Sequence, residues 1–174
     1  GIIPNLWLGT SVESQEYAEK RIPILLDTPA AIRWLSVEPL LGPIDLARWL
    51  VERWECGRCR HKAPAREGWA RNPRQGYAVC PACDRQGYDI VPRTLPRVDW
   101  VVVGGESGPH ARWCNLEWIR SIVGQCQAAG VPVFVKQLGA RAWEDRLDWG
   151  AQVVGNNLDL SDPKGGDPAE WPED

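Results

Sequence analysis

The chain has 174 residues, with six Cys, two His, eleven Trp and no Met, and 20 Lys+Arg against 23 Asp+Glu. A formal charge of −3 excludes a generally basic nucleic-acid coat, and 44% hydrophobic with 25% charged residues is the composition of a folded globular protein. No apolar run approaches the ~20 residues that span a bilayer, and no basic-then-apolar leader opens the chain, so a cytoplasmic protein without membrane contact is expected.

Gly1 stands in an apparent strand approach with no start residue, which predicts a piece of a longer parent. Residues 6–12 (LWLGTSV) read as a first strand, with Thr10, Ser11 and Glu13 at its end. Ser14 then caps a short helix to about residue 21, with Tyr17 and Ala18 on its apolar side. Pro23 is placed to open a further turn over residues 24–27. Residues 32–37 (IRWLSV) form a second strand that ends on Ser36 and on Glu38 before Pro39.

Four cysteines follow in one stretch, as Cys56-x-x-Cys59 and Cys80-x-x-Cys83. Two CxxC turns on facing knuckles complete the tetrahedral four-sulfur shell that zinc prefers. Few aliphatic residues lie between the pairs, so a bound metal would have to serve as the core of this segment. Two disulfides or a redox dithiol are the alternatives. An oxidised pair fits poorly without a secretory leader, and a thioredoxin-type site needs one pair in a βαβ unit. His61 is a bystander on this reading, and Cys114 and Cys126 are packing residues. Residues 52–97 carry a charge of +5 and the rest of the chain −8. With Trp54, Trp69, Tyr77 and Tyr88 interleaved, the insertion suits either a nucleic-acid surface or a plain solvated staple.

Past the insertion, residues 98–103 (VDWVVV) are a nearly continuous apolar run, as in a strand buried on both faces. The run stops at Gly104-Gly105-Glu106-Ser107-Gly108. Asn115 caps a helix in which Leu116, Ile119, Val123 and Cys126 recur at helical spacing, and Gly130 ends it. Residues 131–135 (VPVFV) are a fourth strand, followed by Lys136 and Gln137. From Glu144 onward there are nine acids and two bases among many Gly and Pro, which predicts a loosely packed extension.

This order predicts a parallel α/β sheet with right-handed crossovers, built from residues 1–53 and 98–143. Residues 54–97 are then a zinc-ribbon-like insertion and 144–174 an acidic tail. Ligands bind at the carboxyl ends of parallel strands. The residues expected to line such a site are Ser11, Glu13, Ser36, Glu38, Gly104, Gly105, Glu106, Ser107, Lys136 and Gln137. Three carboxylates and one ammonium there suit an amine, a ribose or a metal-bound phosphate. The glycine turn admits close backbone approach to a ligand. No Ser-His-Asp set exists, since His61 and His110 are the only imidazoles.

Four motifs in this order, LWLGTSVE (6–13), SVEPLLG (36–42), VGGESG (103–108) and VKQ (135–137), resemble an uncharacterised phage and prophage family named after gene products thirty-seven and sixty-eight. The match is to the family's carboxyl-terminal part. Full-length members look like radical S-adenosylmethionine (SAM) proteins with an N-terminal three-cysteine motif for a [4Fe–4S] cluster on a partial (β/α) barrel. The resemblance therefore implies about half of a TIM-type barrel, in the cytoplasm of a bacterial host. It implies SAM contacts from Glu106, Ser36 and Glu38, and a carboxylate or phosphate contact from Lys136. This sequence has no three-cysteine motif, so SAM and [4Fe–4S] belong to a longer parent, and the chain alone is expected not to catalyse. Without the insertion about 130 residues remain, against ~250 for a closed barrel. The open strand edges then call for a missing amino-terminal half or self-association. The rival expectation is a zinc-stapled module of phage origin that binds nucleic acid or protein through its basic insertion.

Overall fold

The computed structural model describes residues 3–56, 59–64, 70–71, 78–80, 82–83, 93–147 and 153–172. Strand β1 (Trp7–Ser11) leads into helix α1 (Gln15–Asp27), and β2 (Ile32–Val37) is followed by the single turn α2 (Ala47–Leu50). The insertion contributes β3 (Arg53–Glu55), β4 (Lys62–Pro64), β5 (Ala70–Arg71), β6 (Ala78–Val79) and β7 (Arg93–Leu95). The chain then returns through β8 (Trp100–Gly104), β9 (Cys114–Asn115), α3 (Leu116–Ala129) and β10 (Val133–Gln137). It closes with β11 (Ala142–Leu147) and β12 (Val153–Asn157). No described helix is long and apolar enough to cross a membrane.

The central sheet runs β1-β2-β8-β10 with every pairing parallel. Its strands stand side by side in chain order, with no reversal. Right-handed crossovers between successive neighbours all fall on one side of a sheet, and the side chains obey this. Leu35, Val37, Val101 and Val103 share one buried core with Ala18, Ile22, Leu25 and Leu26 of α1 and Ile119, Ile122 and Cys126 of α3. The alternate residues of the same strands face the other way. In register they are Gly9, Trp34 and Trp100, then Ser11, Ser36, Val102 and Phe134. None of these belongs to the helix-covered core, and Trp7 and Phe134 are 58% and 53% exposed. Trp7 meets Trp100 edge-on at 5.9 Å, and Trp34 tilts against Trp100 at 5.7 Å. Gly9 makes room for this row: a Cβ there would lie 2.3 Å from the Trp34 ring.

Several element boundaries differ from those read in the sequence. Helix α1 does not stop near residue 21 but continues through Pro23 to Asp27. A proline inside a helix costs about 3 kcal/mol, and here burial of Leu25 and Leu26 beside Ala18 and Ile22 opposes that penalty. Strand β8 starts at Trp100 and not at Val98, whose N–H goes instead to the Trp49 carbonyl at 2.9 Å. Helix α3 is as expected. Asn115 accepts from the Glu117 N–H at 2.8 Å, and Gly130 ends it with φ +64°. Strand β10 begins two residues later than expected, because the Val131 N–H closes the helix end on the Cys126 carbonyl.

The tail departs most from expectation. The boundary at residue 144 falls inside β11, which pairs with β9 on one side and β12 on the other. Beyond β12, Leu158, Leu160 and Trp171 pack against the main core. The Leu138 and Gly139 N–H groups donate to the Gly165 and Lys164 carbonyls. Polar composition misleads here because only three large apolar side chains in a polar stretch carry the docking. Trp171 lines a shared pocket with Leu116, Ile119 and Leu138, and its indole N–H donates to the Gly165 carbonyl at 3.1 Å. Trp171→Ala is expected to lower unfolding stability by about 1–3 kcal/mol, less than for a fully buried tryptophan. Urea denaturation checks this, and an unchanged midpoint would mean that the tail contributes nothing to the fold.

Candidate functional site

Three strands of the insertion, β4-β3-β7, form a small antiparallel sheet, so the insertion leaves and rejoins the main domain side by side. At its tip the Cys56 N–H donates to the His61 carbonyl and the Arg60 N–H to the Cys56 carbonyl, each at 2.9 Å. This is a tight knuckle, with Arg60 in the left-handed region at φ +61°. That conformation costs a non-glycine residue about 1–2 kcal/mol. Arg60 is also tied down by its side chain, which pairs at 2.8 Å with the buried carboxylate of Glu55.

The knuckle places Cys56 and Cys59 opposite Cys80 and Cys83, with all four ligand atoms within 4.8 Å of one another and no disulfide among them. The Cys59 and Cys80 sulfurs are 3.6 Å apart. Tetrahedral coordination at ~2.3 Å per Zn–S bond requires an S···S edge of about 3.8 Å. The four thiols thus fit a metal ion such as zinc. Their core consists of Cys56 and Cys80 themselves, fully buried, with Trp54 and Cys83 packed on them. His61 lends its backbone carbonyl to the knuckle. Cys114 and Cys126 lie in the main core, where burial pushes their thiols up to about 12 and about 11. They are packing residues, as expected.

The strand ends form a second cluster, laced by main-chain bonds. The Val12 N–H donates to the Ser36 carbonyl, Leu41 to Glu13, Leu40 to Gly104, and Gly105 to Gln137. The Gln137 side chain returns a bond to the Gly105 carbonyl at 2.9 Å. Gly105 has no room for a side chain, since a Cβ would sit 2.1 Å from the Leu138 carbonyl oxygen. Ser11 and Ser36 are register partners on the open face. Between Val135 and Gln137 the ladder slips by one residue. Lys136 occupies that slip, and its ammonium spans to both Glu38 oxygens at 3.0 and 3.2 Å.

The other two carboxylates do not join that pair. Glu13 accepts from Arg21 of α1 at 3.0 Å. Glu106 takes a two-pronged bond from the Arg112 guanidinium at 2.7 and 3.0 Å, and a third from the Arg112 N–H. Those Arg112 bonds hold the Glu106 carboxyl down at about 2. The nearby Glu13 carboxylate adds a smaller favourable charge contribution at Arg112. Ser107 is exposed on the turn. Arg21 and Arg112 were missed in the sequence. The available signal was charge balance, because three carboxylates at converging loops with one assigned cation leave two charges to compensate. Of the ten bases and four aromatics expected to form a nucleic-acid surface, Arg58, Arg66, Arg74, Arg85, Trp69, Tyr77 and Tyr88 lie outside the described residues.

A family model described as "Protein of unknown function (DUF5131)" matches residues 2–162, and the chain belongs to that family. No curated protein and no solved structure matches it.

Two outcomes follow from these geometries. The purified protein is expected to carry one equivalent of zinc, lost in Cys56→Ser and Cys80→Ser; metal content unchanged by both substitutions would remove the site. The Glu106 carboxyl should titrate near 2, and Arg112→Ala should return it toward the ordinary 4.5. Because the folded value is the lower one, this pairing contributes stability above pH 4.5 that vanishes as pH falls through about 2. Carboxyl-carbon NMR reads both, and a Glu106 midpoint near 4.5 in the unmodified protein would refute the pairing.

Proposed function

We propose that this chain forms about half of a TIM-type (β/α) barrel and supplies strand-end contacts to a SAM and substrate pocket, with a structural zinc ion in its insertion. The observation that supports it best is the one-sided placement of helices on a sheet whose strands stand in chain order. Doubly wound sheets reverse their strand order and so cover both faces. An unreversed parallel sheet leaves one face for its own continuation round a barrel. That bare face leads directly to Ser11, Ser36, Glu38 and Lys136, where a barrel enzyme binds its substrate. The four motifs that resemble the phage family named after gene products thirty-seven and sixty-eight supply these strand-end residues.

The groups fit a SAM molecule in kind. Glu38 and Glu106 are carboxylates for its ammonium, Lys136 is a cation for its carboxylate, and the Gly104-Gly105 turn allows close approach. They do not fit an iron–sulfur cluster. Four cysteines are committed to one metal site, and the other two are buried in the core. Radical chemistry therefore falls to the three-cysteine motif of a longer parent, and none is assigned to this chain. The edges of β1 and β10, each paired on one side only among the described residues, would receive the complementary strands or a second copy.

SAM titrated into the purified chain is expected to bind, with Glu38→Gln and Lys136→Ala each weakening it by about tenfold through loss of a charged hydrogen bond. Equal binding by both variants would reject the pocket. Anaerobic reconstitution of a family member that carries the three-cysteine motif should cleave SAM, and no cleavage with a full cluster would reject the radical reading.

A further inference from the structure

A second concave site lies away from the strand ends, where α1, α2 and the base of the insertion meet. It is a cleft of about 240 Å³ whose charged lining is Arg48, Arg53 and Asp27, with Leu26, Trp49 and Pro96 among its apolar walls. Arg53 opens β3, and its Nε–H is buried with no hydrogen-bond partner. Buried donors in folded proteins are almost always satisfied, and an orphan one points to a bound group. Arg48 stacks 4.2 Å above the Trp49 ring and is bonded to Glu19, so its guanidinium is held in place at the cleft. Burial first, and then the positive charge of Arg48, disfavour the charged form of Arg53, while Asp27 partly offsets them. A guanidinium remains charged in proteins, and no hydrogen bond among the described residues satisfies this buried Nε–H.

We infer that this cleft is an oxyanion site that takes a phosphate group, with Arg53 as its principal donor. The planar guanidinium fork matches two phosphate oxygens at once. The volume exceeds that of one small anion, leaving space for the organic part of a phosphoester against Leu26 and Pro96. This site is independent of the strand-end pocket and stands or falls separately from it.

The test is titration of the intact protein with inorganic phosphate at constant ionic strength, read by phosphorus NMR line width and by thermal stability against matched chloride. Phosphate should broaden and should raise the melting temperature above chloride. Arg53→Met should weaken binding about tenfold or more, as for loss of a charged two-pronged contact. A response equal to chloride, or equal in the variant, overturns the proposal. Asp27→Asn provides a second arm should Arg53→Met fail to fold. It removes the one carboxylate lining the cleft and should tighten phosphate severalfold, whereas unchanged or weaker binding overturns the proposal. A short single-stranded oligonucleotide separates the sources. If its binding also falls in Arg53→Met, the phosphate is that of a nucleic-acid backbone. If only inorganic phosphate is affected, the ligand is a small phosphoester.

Discussion

The side on which three crossovers lie decides most of this protein. Each link from one parallel strand to the next must pass over the sheet, and the right-handed rule places successive crossovers on the same face when the strands do not change direction of travel. Here β1, β2, β8 and β10 stand in that order, so α1 and α3 cover the face carrying Leu35, Val37, Val101 and Val103. The opposite face is left with a tryptophan row at one end and a charged rim at the other. Parallel strands are ordinarily buried on both sides. This side is only partly buried, with Trp7 and Phe134 exposed on it, and no described helix covers it.

The insertion solves a different problem by different means. It has too little apolar area to order its own backbone, and conformational entropy of about 1–2 kcal/mol per residue must be opposed by something. Two CxxC turns brought within 4.8 Å could hold a metal ion such as zinc, whose few coordinate bonds would do this in place of a core. The β3–β7 pairing confines that arrangement to a side branch, so the main sheet carries no trace of it except at Arg53, where the branch begins.

At the strand ends, charge is neutralised in pairs and not in a common cluster. Glu38 meets Lys136, Glu13 meets Arg21, and Glu106 meets Arg112. Two of these cations come from a helix and a loop whose direction depends on how the chain folds back over the sheet. Pairs of this kind at exposed positions contribute little stability individually. Their effect is to hold carboxylates in fixed orientations around the rim.

Much of the fold was legible in the chain itself. The apolar run of β8, the Asn115 and Gly130 caps of α3 and the two CxxC turns are local signals, set by a few neighbouring residues. The strand-end motifs were legible for the same reason, because strand ends fall where apolar runs stop. What tertiary structure alone decided depends on residues far apart in sequence. Arg112 became part of the rim because the loop after β8 turns back onto Glu106. The acidic tail became part of the fold because Leu158, Leu160 and Trp171 pack against the main core. Composition suggested neither, since each rests on a few side chains whose partners are chosen by the path of the backbone. The sequence alone thus determined the strands, the caps and the metal knuckles, while the path of the chain across one face of the sheet decided which charges meet and which face stays bare.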